Sequence, residues 1–292
     1  MKLTKERQGE LFIFGEAALW ALFPVLTILS YGKLSPLVSL GASSIFASIF
    51  FAIILSLKKK WHEIKNASAF KDILWATFFI GILYYLFFFF GLRYTSAGNA
   101  SIIALTEIFF SYLFFNIWKK DLLPFQHMAG ALFMLVGAII VLYPNLHKFQ
   151  LGDILMLVAA AMPPFGNFFA RRAREKVSTE TIMFVRSIIS GVVVILLAFI
   201  FNNTFSYPDL KYSFMFLFIN GVFLLGLSKV MWIEGIHRVS VVKANALGSI
   251  GPLLTLLFAW LFLHNIPTSW QLLSFIPMFF GVILLGMNKK NG

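Results

Sequence analysis

Glu107 stands near the middle of an apolar run that extends from about Ala97 to Trp118, and a carboxylate in that setting needs a chemical reason. The run is long enough to cross ~30 Å of hydrocarbon as a helix, with Glu107 close to its midpoint. An ionised side chain at that depth costs at least ~2.5–3.5 kcal/mol, so such residues face a bundle interior or a water-filled cavity. Read as one continuous helix, Asn99, Ile103, Glu107 and Ser111 recur every four residues and share a face. A carboxylate set beside an amide and a hydroxyl can neutralise a cation, carry a proton, or do no more than bond a neighbouring helix.

Five more ionisable side chains lie inside apolar runs: Glu16, Arg186, Lys229, Glu234 and Lys243. Long side chains near a run's end snorkel to the interface, which gives Arg186, Glu234 and Lys243 a structural reading. Lys229 lies deeper and Glu16 is too short to snorkel. Glu16, Arg186, Lys229 and Glu234 are therefore grouped as a charge network that could act as an inner gate. Trp20, one turn from Glu16, joins Tyr84 and Trp232 as aromatic surface for a pocket, although in a chain that is 17% aromatic each also reads as packing. With Glu107, Asn99 and Ser111, the polar groups Asn167, Lys243 and Asn245 complete the candidate binding set. His62, His127, His147, His237 and His264 fall in loops or at run ends without ligand spacing, so no metal site is expected. There is no cysteine, which excludes disulfides and thiolate chemistry, and no GxxxxGK[ST] loop. No cofactor is expected.

The elements that must hold these residues follow from composition. The chain is 60% hydrophobic and 12% charged, with a mean hydropathy of +0.86, which no soluble domain matches. Ten apolar runs occur, at about 11–30, 37–57, 73–92, 97–118, 125–143, 151–170, 181–201, 212–236, 240–263 and 269–287, each near the ~20 residues of a spanning helix. Pro24, Pro163-Pro164 and the Gly248, Gly251, Pro252 group are helix-breaking signals, and Pro24 and Pro164 read as occupying matching places. The net charge of +12 points to no nucleic acid, because the basic residues sit in short clusters between runs. Placed with the N-terminus inside, the cytoplasmic segments hold seventeen Lys and Arg and the other side holds Lys33, Arg93, Lys148 and Lys211. That bias puts both termini in the cytoplasm.

Residues 91–142 recur 144 positions on, without a gap, as residues 235–286. Gly91 meets Gly235, Ser96 meets Ser240, Ala100 meets Ala244 and Gly137 meets Gly281. Five crossings invert the second copy relative to the first, and inverted repeats are how many transporters are built. The fold expected is an all-α integral membrane protein of ten transmembrane helices, with repeats over 1–146 and 147–292.

LRYTSAGNASIIALTEIFFSYLF through GALFMLVGAIIVL, the second ending GVILLG, and Trp20-Ala21-Leu22-Phe23 resemble the drug/metabolite transporter superfamily, specifically its EamA-type ten-helix members. The resemblance spans nearly the whole chain. It implies a central cavity lined largely by helices 1, 3, 4, 6, 8 and 9, and alternating-access transport of small metabolites, often amino acids. Two features depart from the family pattern: no Pro stands near Ile108 although Pro252 is kept, and His264-Asn265 follows the ninth helix where an acidic residue is common.

The leading expectation is therefore a gradient-driven carrier of a small polar metabolite in a bacterial inner membrane, with the bilayer and a coupling proton as its other partners. The oligomeric state is left open. The alternative is a polytopic protein without transport activity, either an intramembrane enzyme or a receptor or scaffold. An enzyme needs catalytic groups within hydrogen-bond reach, and no nucleophile–base or paired-carboxylate pattern is present. Short loops leave a scaffold little surface. The topology is testable because the chain lacks cysteine. A cysteine at Lys60 should resist an impermeant thiol reagent in intact cells and react after permeabilisation, while one at Asn203 should react in both. The reverse pattern would invert the orientation.

Overall fold

The computed structural model describes residues 4–114, 125–145, 150–203, 205–239 and 241–286, and of 145, 241, 242, 245, 246, 285 and 286 the backbone alone. Residues 119–124, which the charge bias places in the cytoplasm, lie outside that description. The chain forms ten helices that cross the bundle: α1 Lys5–Ser30, α2 Pro36–Leu57, α3 Ala67–Leu92, α4 Ala97–Leu113, α5 Phe125–Leu142, α6 Leu151–Arg174, α7 Thr179–Ile200, α8 Tyr207–Ile236, α9 as Val241–Gly248 and Gly251–Leu263, and α10 Ser269–Gly286. This is an all-α, multi-pass integral membrane protein of two inverted five-helix repeats.

Local chemistry sets the ends. Thr4, Ser35, Ser96 and Ser206 cap α1, α2, α4 and α8, each side chain accepting a backbone N–H of the first turn, and Asp209 completes a capping box with Ser206. The α2–α3 connection is shorter than the sequence suggested. Trp61–Lys65 forms a 3₁₀ turn, and Asn66 caps an α3 that begins at Ala67. Left-handed residues close α2 at Lys59 (φ 54°) and α7 at Asn202 (φ 52°), equivalent places in the two halves.

Close packing repeats between the halves as well. Gly152 of α6 lies against the turn between α3 and α4, where a Cβ would fall 2.4 Å from the Tyr94 carbonyl carbon. Gly9 of α1 lies likewise against Arg238 and Val239 in the α8–α9 turn. Gly91 abuts Met156 and Gly152, and Gly235 abuts Ile13 and Gly9. Between α5 and α10 the relation is reciprocal, with Gly137 on Met278 and Gly281 on Met134. Small residues allow such approach where hydrocarbon provides no hydrophobic drive to association.

Helix interruptions also recur. α3 widens to a π-helix over Thr77–Tyr84 and α8 over Ile219–Leu227. α4 breaks at Leu105–Thr106 and α9 at Ser249–Ile250, which are 144 residues apart. The α4 break has no proline or glycine. There the Thr106 N–H (2.9 Å) and hydroxyl (2.6 Å) both donate to the Ile103 carbonyl, drawing the helix into a tight turn. Pro163-Pro164 follows a break in α6 at Met162, but Pro24 does not break α1. One turn before Pro24, the Ala21 carbonyl accepts from the Thr255 hydroxyl of α9 (3.0 Å), which ties that turn to a neighbouring helix. Counted from Gly9 and Gly152, Pro24 falls with Asn167 and not with Pro164, which corrects the expected proline match.

At the face carrying the N-terminus, polar contacts join the α2–α3 connection and the start of α3 to α6, α7 and the turn between them. Asp72 pairs with Arg172 (3.5 Å) and Lys176 (3.2 Å), and Glu180 pairs with Lys58 and Lys60. The Glu63 carboxylate accepts from the Ser178 N–H (2.7 Å) and from the Ser178 and Thr181 hydroxyls. Burial opposes its ionisation, but these hydrogen bonds outweigh burial and hold its carboxyl below the usual range.

Gly152→Ala should destabilise the protein, because the new methyl meets backbone that cannot rotate away; overpacking of this kind costs ~1–3 kcal/mol. Gly248→Ala is the contrast, since its Cβ meets nothing nearer than Trp232 at 3.8 Å. Thermal melting in detergent should show a clear loss for the first and little change for the second; equal melting points would refute the close-packing account.

Candidate functional site: a branched central cavity

A cavity of about 490 Å³ opens among six helices. Its walls are Trp20 of α1, Tyr84 and Tyr85 of α3, Glu107 of α4, and Pro163 and Asn167 of α6, with Met183 and Arg186 of α7 and Lys229 and Trp232 of α8. Arg174, Thr179 and Ile236 carry it to the face bearing the N-terminus. A second chamber of about 310 Å³ shares Trp20, Tyr84, Glu107 and Lys229 and continues past Glu16, Phe88, Ser101 and Thr255. A recess of about 250 Å³ borders Glu16, Lys229, Trp232 and Ser249. The shared walls make one branched space centred on Glu107 and Lys229.

Toward the opposite face the cavity meets an aromatic layer. Trp20 stacks on Phe23 with centroids 4.6 Å apart, and Phe23 packs on Tyr85, Phe88 and Phe89. Phe23 and Phe89 are fully buried, and the Tyr31 hydroxyl donates to the Phe89 carbonyl (2.6 Å). The cavity thus reaches one face and is roofed by rings toward the other.

Helix irregularity aims the polar groups. The tight turn at Leu105–Thr106 resets the face of α4, so Glu107 begins a new helical segment on the cavity wall. The π-helices end at Tyr84 and just before Lys229, where the altered turn points both side chains inward. Lys229 Nζ lies 3.4 Å from the Trp20 ring centroid and 4.0 Å from a Glu16 carboxylate oxygen. This is a cation–π contact joined to an ion pair, at a depth where neither charge can reach bulk water easily. Among the described residues, neither Glu107 nor Arg186 forms a salt bridge.

The expected set divides accordingly. Glu107, Trp20, Tyr84, Asn167 and Trp232 are brought together around the cavity, with Glu16, Arg186 and Lys229 of the charge group. Asn99 and Ser111 are not on its walls, because the break at 105–106 ends the four-residue stripe that a continuous helix would have carried. The Asn99 amide oxygen instead accepts from Gln271 of α10 (2.7 Å). Lys243 pairs with Glu6 (2.7 Å) and Glu10 of α1, and Glu234 with Arg238 in the turn that follows α8, so both serve the membrane face. The Asn245 side chain lies outside the description. Arg174 and Thr179 were not anticipated; they read as loop residues in sequence, and only the reach of α6 and α7 beyond their apolar runs brings them to the cavity mouth.

The sequence matches the EamA-like transporter family over residues 7–143 and again over 150–287. It is 21% identical over 204 residues to an uncharacterized transporter of Synechocystis sp., a match covering 66% of this chain and 58% of that protein's length. It is 19% identical over 257 residues to the uncharacterized transporter YoaV of Bacillus subtilis, covering 87% and 88% of the two chains. A solved crystal structure superposes with a TM-score of 0.69 at 18% identity, covering 96% of each chain, which establishes likeness of fold.

Breaking a buried ion pair leaves an uncompensated charge and costs ~3–5 kcal/mol. Lys229→Met should therefore lower the melting temperature sharply, and Glu16→Gln in the same chain should restore much of it. A double variant no more stable than the single one would show that the two charges do not depend on each other.

Proposed function

The chain belongs to the EamA-like transporter family, and from that premise we propose that it is a gradient-driven secondary carrier of amino acids or closely related dipolar metabolites. The membrane is a bacterial inner membrane, with both termini cytoplasmic. One observation supports the substrate class: a carboxylate, Glu107, and a guanidinium, Arg186, line the same cavity, and neither has a salt-bridge partner among the described residues. Two unpaired opposite charges in a space of about 490 Å³ suit a ligand that carries both. An ammonium would meet Glu107, and a carboxylate would meet Arg186, whose planar fork matches it in two hydrogen bonds. Trp20, Tyr84 and Trp232 provide aromatic walls for the rest of the molecule.

Glu107 can also carry a coupling proton, exchanging it for the substrate ammonium. Alternating access then requires the aromatic layer at Phe23 and Phe88 to part while the mouth at Arg174 and Thr179 closes. Paired π-helices and paired breaks in the two halves are elements that can take up such a change in equivalent ways.

Initial uptake of a panel of amino acids into proteoliposomes tests the proposal. Glu107→Gln and Arg186→Gln should keep the fold and each reduce transport of the best substrate roughly 30-fold or more, as loss of one partner of a desolvated charge pair does. If Glu107 carries the proton, wild-type uptake should vary between pH 5 and 8 and the Gln variant should lose that variation. Overlapping rates and pH profiles for wild type and Glu107→Gln would overturn the assignment.

A further inference from the structure

Away from the central cavity, a groove of about 660 Å³ runs between α2, α7 and α8, toward the face opposite the N-terminus. Val38, Ala42 and Phe46 of α2, Ala198 of α7 and Phe214 and Leu217 of α8 line it, and its wall is otherwise almost wholly apolar. The exceptions are Tyr207 and Lys211, at the end where α8 begins. The volume falls within the ~300–1,000 Å³ of small-molecule sites. Water does not stably occupy an apolar space of this kind.

The equivalent place in the other half is filled by protein. There the start of α3 and the start of α7 bring Ile73 and Ile182 together. Those two pack in one buried cluster with Ala69, Val177 and Val185, and Trp61 sits edge-on to Phe184 beside them. The 3₁₀ turn Trp61–Lys65 supplies that cover, whereas the connection between Ile200 and Tyr207 is shorter. The same packing is thus completed by side chains on one side of the bundle and left open to the bilayer on the other.

Charge identifies the occupant. Lys211 is exposed and has no salt-bridge partner among the described residues. The nearest carboxylate along its helix, Asp209, is committed to the capping box, accepting from the Ser206 N–H (3.1 Å) and hydroxyl. Tyr207, the first residue of α8, lies beside it at the depth where amphipathic rings meet lipid headgroups. An apolar trough that begins at an unpaired cation and a tyrosine has the polarity of a phospholipid. We propose that the groove binds an anionic phospholipid, with an acyl chain between Val38 and Leu217 and the phosphate at Lys211. The lipid completes the packing of α2, α7 and α8 that the α2–α3 connection completes in the other half.

The test uses the full chain in phosphatidylcholine vesicles carrying a small fraction of phosphatidylglycerol with a photoactivatable acyl chain, and in parallel the same label on phosphatidylcholine. Adducts mapped by mass spectrometry should concentrate on the groove residues. The glycerol lipid should label them about fivefold more than the choline lipid, as one surface lysine allows. Lys211→Gln should reduce the first to the level of the second without changing the melting temperature, and Ala42→Phe should reduce both. Adducts spread evenly over other lipid-facing residues such as Leu196 and Phe279 would overturn the site. Equal labelling of the groove by the two lipids would overturn the anionic assignment. The readout is labelling, so the result does not depend on the proposed substrate.

Discussion

Hydrocarbon offers no hydrogen bonds and little solvation of charge, and the arrangement of this chain follows from that constraint. A helix that breaks within the bilayer must find partners for its freed backbone groups. At Leu105–Thr106 the Thr106 N–H and hydroxyl both donate to the Ile103 carbonyl. Charges obey the same rule. Glu6, Glu10 and Lys243 pair at the membrane face, while Glu16, Glu107, Arg186 and Lys229 all turn toward the branched internal cavity, which can hold water or a polar ligand.

The scaffold around that space is symmetric and its chemistry is not. Reciprocal glycine contacts, left-handed residues after α2 and α7, π-helices in α3 and α8 and breaks in α4 and α9 all recur across the two halves. The polar residues do not recur. Glu107 stands where Gly251 does, Lys229 where Tyr85 does, and Arg186, counted from the ends of α2 and α7, where Ser43 does, so none of these charges has a charged counterpart. Duplication accounts for a frame in which two inverted halves enclose a space between them, and the substitutions on its inner wall give that space a direction and a polarity.

The cavity is bounded differently at its two ends, and the difference is physical. On one side, rings of Phe23, Phe88 and Phe89 interlock with almost no exposed surface, so dispersion and desolvation hold the closure. On the other, the surrounding contacts are ion pairs and hydrogen bonds through Asp72, Glu63 and Glu180, in reach of solvent. Contacts of the second kind exchange readily with water, which suits a mouth that admits polar solutes.

Composition and periodicity were enough to establish a ten-helix membrane protein of inverted repeats, because the requirement for ~20 apolar residues per crossing writes itself directly into the chain. The identities Gly91 with Gly235 and Gly137 with Gly281 were legible for the same reason, since close helix approach tolerates almost no other residue. Glu107, Lys229 and Glu16 stood out as charges too costly to bury without purpose. Which residues share the cavity was decided by tertiary structure alone. The stripe from Asn99 to Ser111 assumed an unbroken helix, and a turn formed by Thr106, with no proline or glycine to announce it, moved Asn99 onto Gln271 instead. The pairing of Lys229 with Glu16 and Trp20, residues more than two hundred positions apart, depends on how α1 packs beside α8. No local pattern encodes that geometry, because it arises from the backbone contacts of both halves acting together.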